Sequence, residues 1–599
     1  ETIMYIREFL TYDMVALLWL VVGVLILFSV GYLGYSKYLA GFVGLDEDAE
    51  TPAHKYEDGQ EYVPAKKPVL LGHHYSSIAG GAPIVGPITA GLLWGWLPAV
   101  LWIAIGNPLM GAVHDFVSLS ASLKHEGRSI GYIIGEYVGD EGKNLLLWFA
   151  FLTIILVVAV FAFVVGLVFQ QYPSAATASI LYIGLALLFG VYLYQLDLPF
   201  IPGTVIFVAL VFVSVFVGLE YPIQLSQQQW IPIVLIYSLI ASVLPVWTLL
   251  QPRDYLSSFL LYAGVGGALI AVIIGTVLGP YLGAVSPSQP LVTNIPAFTG
   301  FGGNSTLGAF SPLFPMLFVT IACGTISGFH SLVSSGTTSK QLNKESDARV
   351  IGYGGMLGEG LLATVALATV AIVAPDVGGG IGLALPTFAA GGGVILSSFG
   401  IPTSFGGPFM ALVLVSFLLT STDTAVRLGR YMMEEIVGTP ETPVEEFATN
   451  RYGNAFVQSL PAYILITSGS WLTLWQLFGG ANQLLAALAL LTATVWLANW
   501  DDSKQLLSTG LPMALMTTIT SLGLLWLAFH DNIYAKFMNP EWMASAGTFT
   551  MVSAVVQIVL ALVLVYLALS LAKIGYDNIR DARSSGGGGS GGRPRPSDD

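Results

Sequence analysis

Apolar runs of roughly 20 residues recur along the whole chain, and no other feature restricts its fold as strongly. A run of that length crosses the hydrocarbon core as a helix, which satisfies its own backbone groups. Only 10% of the 599 residues are charged, against 55% hydrophobic, a balance no soluble core requires. The pattern predicts an all-α polytopic membrane protein with about 15 spans: 13–36, 75–93, 97–123, 144–169, 176–197, 202–219, 230–250, 255–284, 313–334, 348–375, 404–436, 452–476, 480–499, 505–529 and 550–573. Residues 14–36 are longer than a signal-peptide core and lack a small-residue cleavage site, so they read as a span.

Positive charge tests that count, because cytoplasmic loops gather Lys and Arg. With the N-terminus outside and the C-terminus cytoplasmic, 20 of the 22 Lys and Arg residues fall on the inner side; Arg7 and Lys536 are the exceptions. One span more or fewer would invert every later loop. The net charge of −14 comes from acids in loops, such as Asp46–Glu50. Basic stretches are short and juxtamembrane, so membrane lipid is an expected partner and nucleic acid is not. Residues 129–139 are too short to span and read as an interfacial helix, and 385–400 as a re-entrant piece. The Gly/Ser-rich tail from Ser584 reads as a flexible linker without a functional role.

Two spans have the wrong composition for plain helices. Residues 322–339 read ACGTISGFHSLVSSGTTS, interrupted by Gly324, Gly328 and Gly336 and crowded with hydroxyls. Residues 72–87 read GHHYSSIAGGAPIVGP, with Gly80, Gly81 and Pro83 permitting an unwound segment near Ala79–Val85. Irregular backbone survives at membrane depth only inside protein or along a cavity. Two broken helices of opposite direction point to a site between inverted repeats. Glycines that merely permit close helix packing are the plainer alternative. Broken ends expose amides that suit a carboxylate and carbonyls that suit a cation.

Intramembrane polar groups supply the other candidates. Glu359 lies well inside the bilayer, where a carboxylate is costly and suits proton coupling, or else pairs with an Arg or a helix amide. His114 and Asp115 point about 100° apart on a helix, so one lines a path while the other pairs, or both form an inner-rim pair. Thr420, Ser421 and Thr422 offer oxygens to a hard cation. Asp423 either joins them or pairs with Arg427 at i, i+4. Trp475–Gln483 read as a turn at the outer face, with Asn482 and Gln483 capping the next helix. Cys323 is the only cysteine, which excludes intrachain disulfides. There is no HExxH and no GxxxxGK[ST], so neither a zincin nor a phosphate-binding loop is expected. Adjacent His73 and His74 lack a helix-spaced partner, and no cofactor is expected. An intramembrane hydrolase would need Ser331 or Ser335 beside His330, which are poor helix-face partners, so no enzyme is expected.

The stretches GHHYSSIAGGAPIVGP, HDF with GRSIG, LPVWTLLQPRDYLSSF, LFPMLFVTIACGTISGFHSLVSSGTTSK, IGYGGML, LLTSTDTAVRLGRYM and WQLFGGANQLLAAL resemble the carbon starvation protein A family, from about residue 60 to 490. The resemblance implies a cytoplasmic-membrane secondary transporter of pyruvate or peptides. It further implies kinship with the amino acid–polyamine–cation superfamily and a leucine-transporter-like inverted-repeat core. On that frame the chain divides into 1–74, a first repeat with extra helices over 75–310, a second repeat over 311–500, accessory helices over 501–583 and the tail 584–599. Six spans, not four, separate the two broken helices, which requires two inserted helices or a shifted register. Tyr75, Ser76, Gly80, Gly81, Ala82, Pro83, Gly324, Thr325, Ser327, Gly328 and His330 would bind substrate. Glu359, His114, Asp115 and Asp423 would serve proton coupling. Ala79, Thr420, Ser421 and Thr422 would hold sodium if sodium is the coupling ion. A peptide importer and a membrane nutrient sensor are the alternatives to a pyruvate-like substrate carrier.

Overall fold

The structure is a computed structural model. It describes residues 16–59, 62–245, 248–283, 286–304, 310–373, 386–466, 471–500 and 505–584. Arg7, Asp13, Asp376 and the tail beyond Ser584 lie outside the described residues. Among the described residues the fold is all-helical, with no strand.

Eleven helices are long and apolar enough to cross a membrane, or 12 when one bent pair counts as a span. The remaining three expected spans hold shorter helices. They are Gln227–Val243 (17 residues), the pieces Leu313–Thr320 and Gly328–Gly336 (8 and 9 residues), and Arg451–Ile466 (16 residues).

The bent pair is Lys67–Ile78 (α1) and Ala82–Trp94 (α2), which turn by 44°. Ala79 leaves the helical region at φ −72 and ψ 62. Pro83 then sits in the first turn of α2, where its missing N–H costs nothing. The next span continues through a π-bulge at Asn107–Gly111 into Ala112–Lys124 (α3). Ile130–Gln171 (α4) is the long central helix; it absorbs the expected interfacial helix 129–139 and breaks at Gly139, where φ is 81. Gln227–Val243 (α5) and Leu250–Leu261 (α6) follow.

The second break separates Leu313–Thr320 (α7) from Gly328–Gly336 (α8). Ile321 leaves the helix at ψ 74, and Ser327 is extended before α8 begins. Gly355–Val373 (α9) packs against α2. Thr387–Leu396 (α10) lies between α9 and Thr403–Val437 (α11), which also runs along α4. Trp471–Trp500 (α12) packs on both α7 and α8. The two broken helices cross head to tail, since α7 meets α2 and α8 meets α1.

The expected turn at Trp475–Gln483 is instead the interior of α12. Gly479 and Gly480 do not end the helix. A Cβ on Gly479 would run into the Val319 carbonyl, so its bareness lets α12 press against the end of α7. Gly328 does the same one interface deeper, where a Cβ would meet the Asn482 carbonyl at 2.5 Å and the Ala486 nitrogen at 2.6 Å after first overlapping Leu485. Sequence reads two adjacent glycines as a turn because close packing and chain reversal both call for glycine.

Candidate functional site

The unwound segment 321–327 would strand polar backbone at the core of the bundle. Side-chain amides from neighbouring helices meet it. Trp475 Nε1 donates to the Thr320 carbonyl at 3.1 Å and Gln483 Nε2 to the Ile321 carbonyl at 3.0 Å. Asn107 Nδ2 donates to the Gly324 carbonyl at 3.1 Å and to Met356 at 2.9 Å. Asn482 Oδ1 accepts from the Phe329 N–H at 3.0 Å, while its Nδ2 donates to Ser327 Oγ at 3.0 Å and lies 3.2 Å from Cys323 Sγ. The break is therefore a built feature, with its backbone fixed by α12 and by the span that ends in α3.

One turn into α8, His330 projects from this break and forms the middle of a chain of ionisable groups. Its Nδ1 lies 2.8 Å from Asp115 Oδ2 on α3. Its Nε2 lies 3.2 Å from Glu359 Oε2 on α9, within ion-pair range but off the line of a hydrogen bond. Asp115 Oδ1 is in turn 2.7 Å from His114 Nδ1. All four side chains are fully buried. Four ionisable groups from three separate helices thus converge at the break. Both Glu359 oxygens and His114 Nε2 have no hydrogen-bond partner. The Cys323 thiol, the His330 imidazole and the Glu359 carboxylate place donor atoms within 4.8 Å of one another.

The remaining expected site residues divide. Ser76 Oγ is buried at the first break without a partner. Ser421 Oγ, on α11, is also unpartnered and lies 2.6 Å from where a Cβ on Gly80 would stand. Thr420 and Thr422 instead donate to the Ser416 and Leu418 carbonyls of their own helix, at 2.8 and 2.5 Å. Of that hydroxyl trio, only Ser421 makes no hydrogen bond, while Thr420 and Thr422 keep their oxygen lone pairs free. Tyr75 donates to the Gly358 carbonyl at 2.6 Å and ties α1 to α9. Thr325 Oγ1 donates to Ile321 at 2.8 Å. Gly81, Ala82 and Pro83 are buried where α2 starts. Ser331 and Ser335 donate into their own helix, at 2.7 Å each, rather than toward His330.

Asp423 does not pair with Arg427. It forms a very close ion pair with Arg253 of α6, whose other guanidinium contacts go to Asp254 Oδ1 and Tyr237 of α5. Arg427 donates to the Ala241 and Leu244 carbonyls at the end of α5. Helical spacing favours i, i+4 pairing, but a guanidinium from another helix is nearer. Near this network, two adjoining cavities of about 80 and 240 Å³ open between α1, α4, α8 and α11. Lys340, Gly336, Leu428 and Tyr431 border both, and His73, Gln251 and Arg427 line the smaller. Neither is lined by His330 or Glu359.

Sequence reading singled out His330, Glu359 and Asp115 but not their association. It missed Asn107, Asn482 and Gln483 as supports of the break, and Arg253 as the partner of Asp423. The available signal was the same for all of them: a polar side chain inside an apolar run.

An unwound, amide-braced crossing of two helices around buried acid–base groups marks a built site inside a polytopic membrane protein. The chain belongs to the carbon starvation protein CstA family, whose family model matches residues 16–383 and 379–523. It is 33% identical over 575 residues to a Helicobacter pylori protein named peptide transporter CstA, covering 84% of this chain and 81% of that one. It is 31% identical over 603 residues to the Escherichia coli pyruvate/proton symporter BtsT, covering 85% and 82%. Among solved structures, an Eremococcus coleocola manganese transporter in complex with an aromatic bis-isothiourea substituted compound aligns with 88% of this chain and 99% of its own. Its TM-score is 0.47, at 13% identity.

Proposed function

We propose that the chain is a cation-coupled secondary transporter that imports a small, pyruvate-like carboxylate across the cytoplasmic membrane by alternating access. The observation that carries this reading is the Asp115–His330–Glu359 chain at the second break, in which Glu359 is fully buried, its Oε1 has no partner and its Oε2 meets His330 Nε2 at 3.2 Å without a hydrogen bond. Unpaired polar atoms in a dry interior are costly, so they mark where a substrate, ion or proton is expected to complete the site. In this reading the half-helix ends at Gly80–Pro83 and Gly324–Gly328 hold the carboxylate, with Ser76 and His330 beside them. Glu359 carries the proton, and Asp115 and His114 fix the imidazole that exchanges with it. Ser421 and the Ala79 carbonyl are the sodium alternative.

The head-to-tail crossing of the broken helices supports the finer architecture, an inverted-repeat core within about 15 spans. The basic-loop pattern supports an outer N-terminus and a cytoplasmic C-terminus. The two cavities beside Lys340 and Arg427 then form the inner vestibule, closed off from His330 by the turn at Val333. Peptides are the second substrate class, favoured by the name of the Helicobacter relative, and they share the carboxylate with pyruvate.

The test is uptake of labelled pyruvate into proteoliposomes, with pH and sodium gradients imposed separately. Accumulation under the pH gradient alone is the expected result. Accumulation under sodium alone would move the coupling site to Ser421. No uptake of pyruvate or of di- and tripeptides under either gradient would overturn the reading.

A further inference from the structure

The same break holds a second chemistry that transport of a carboxylate does not require. Cys323 lies in the unwound segment, His330 on α8 and Glu359 on α9, and their donor atoms sit within 4.8 Å of one another, fully buried or nearly so. Cys323 Sγ, one imidazole nitrogen and one carboxylate oxygen make a mixed sulfur, nitrogen and oxygen donor set. Such a set suits a borderline cation of the zinc class rather than calcium or magnesium, which take oxygen ligands. Bond lengths of about 2.0–2.3 Å place tetrahedral donors roughly 3.3–3.8 Å apart. With no pair more than 4.8 Å apart, the widest needs to close by at most about 1.5 Å, shared between two side chains.

Two observations beyond the cluster point to a ligand. Glu359 Oε1 is buried without a partner, and Glu359 Oε2 and His330 Nε2, 3.2 Å apart, meet off the line of a hydrogen bond, although a cation between them would engage all three atoms. The groups behind the donors are also already placed. Asp115 holds His330 Nδ1 at 2.8 Å, which presents Nε2 forward as a metal-binding histidine is presented by its carboxylate partner. The Asn482 Nδ2 lies 3.2 Å from Cys323 Sγ, where it can donate to a sulfur that ligates a cation.

We propose that Cys323, His330 and Glu359 form a three-ligand site for a zinc-class divalent cation, which ties the unwound segment and α8 to α9. The fourth position is left to water or to a substrate carboxylate. A cation there bridges the elements on either side of the break and so arrests transport.

The experiment uses the full chain in detergent and needs no uptake. Zinc is titrated against a chromophoric chelator, and cobalt(II) is added separately to record its spectrum. The expected result is one zinc per chain, with affinity falling at least about tenfold in both Cys323→Ser and Glu359→Gln. Cobalt should show a thiolate charge-transfer band that Cys323→Ser abolishes. Monodisperse elution of each variant establishes that it is folded. Absence of stoichiometric zinc, affinity unchanged in either folded variant, or a cobalt spectrum without the thiolate band would each overturn the site. Zinc bound by surface groups only belongs to the unchanged-affinity outcome. Because binding is read without a gradient, its failure leaves the transport reading standing, and the converse holds.

Discussion

Two clusters of buried charge lie in this bundle, and they differ in how completely their atoms are paired. Around Arg253, the guanidinium contacts Asp423, Asp254 and Tyr237, and none of the four side chains keeps a stranded polar atom. Around His330, by contrast, Glu359 Oε1 and His114 Nε2 have no partner, and Glu359 Oε2 meets His330 Nε2 at 3.2 Å without a hydrogen bond. The charged side chains are buried in both, and only Tyr237 is partly exposed. The first arrangement holds α5, α6 and α11 together. The second tolerates a cost that packing alone does not repay, which marks it as the place where something binds or a proton moves.

The largest effect should come from breaking the paired cluster. Arg253→Leu leaves Asp423 and Asp254 charged and uncompensated, and should cost about 3–5 kcal/mol of stability. Loss of folded protein on size exclusion, or a large drop in unfolding temperature in detergent, is the readout. A stable Arg253→Leu protein would show that the cluster is not what joins those helices.

Next comes the wall of the break. Gly328→Ala forces a methyl group into the backbone of α12, and overpacking of this kind costs about 1–3 kcal/mol. Thermal unfolding would check it, and no change would mean that α12 does not press so closely on α8. The contrast with Arg253 is sharpest at Glu359. Glu359→Gln gives up only the off-line 3.2 Å contact with His330 Nε2 and no well-formed hydrogen bond, so its stability should stay within about 1 kcal/mol of wild type. A severe loss of stability would place Glu359 among the structural ion pairs.

The smallest effect belongs at the surface. Lys55 and Glu126 pair at 2.6 Å, with side chains 50% and 48% exposed. The Lys55 ammonium holds the Glu126 carboxyl below its ordinary range. A lowered carboxylate pKa stabilises above the unfolded-state value, and that contribution is lost as pH falls through the folded-state value. Lys55→Ala should therefore cost well under 1 kcal/mol near neutrality, and the difference from wild type should vanish in acid. A difference that grows in acid would contradict the pairing.

Much of this was legible in the chain. Apolar runs gave the helical membrane class, and Pro83 beside Gly80 and Gly81 gave the first break within a few residues. The hydroxyl-rich Ala322–Ser339 gave the second. Partnerships were not legible, because they join residues far apart in sequence. Helical spacing offers Asp423 only Arg427 as an ion-pair partner, whereas Arg253 reaches it from 170 positions away. Asn482 and Gln483 resembled helix caps beside a glycine turn, whereas they brace the backbone of another helix. Which of the three hydroxyls donates to its own helix was not legible either: Thr420 and Thr422 do, and Ser421 does not.

The most direct test of the central claim is a pair of readings on Glu359→Gln: substrate binding in detergent and gradient-driven accumulation in proteoliposomes. If the unpartnered carboxylate carries the coupling proton, binding persists while uphill accumulation is lost. Uphill accumulation equal to wild type would contradict the account and remove Glu359 from the mechanism.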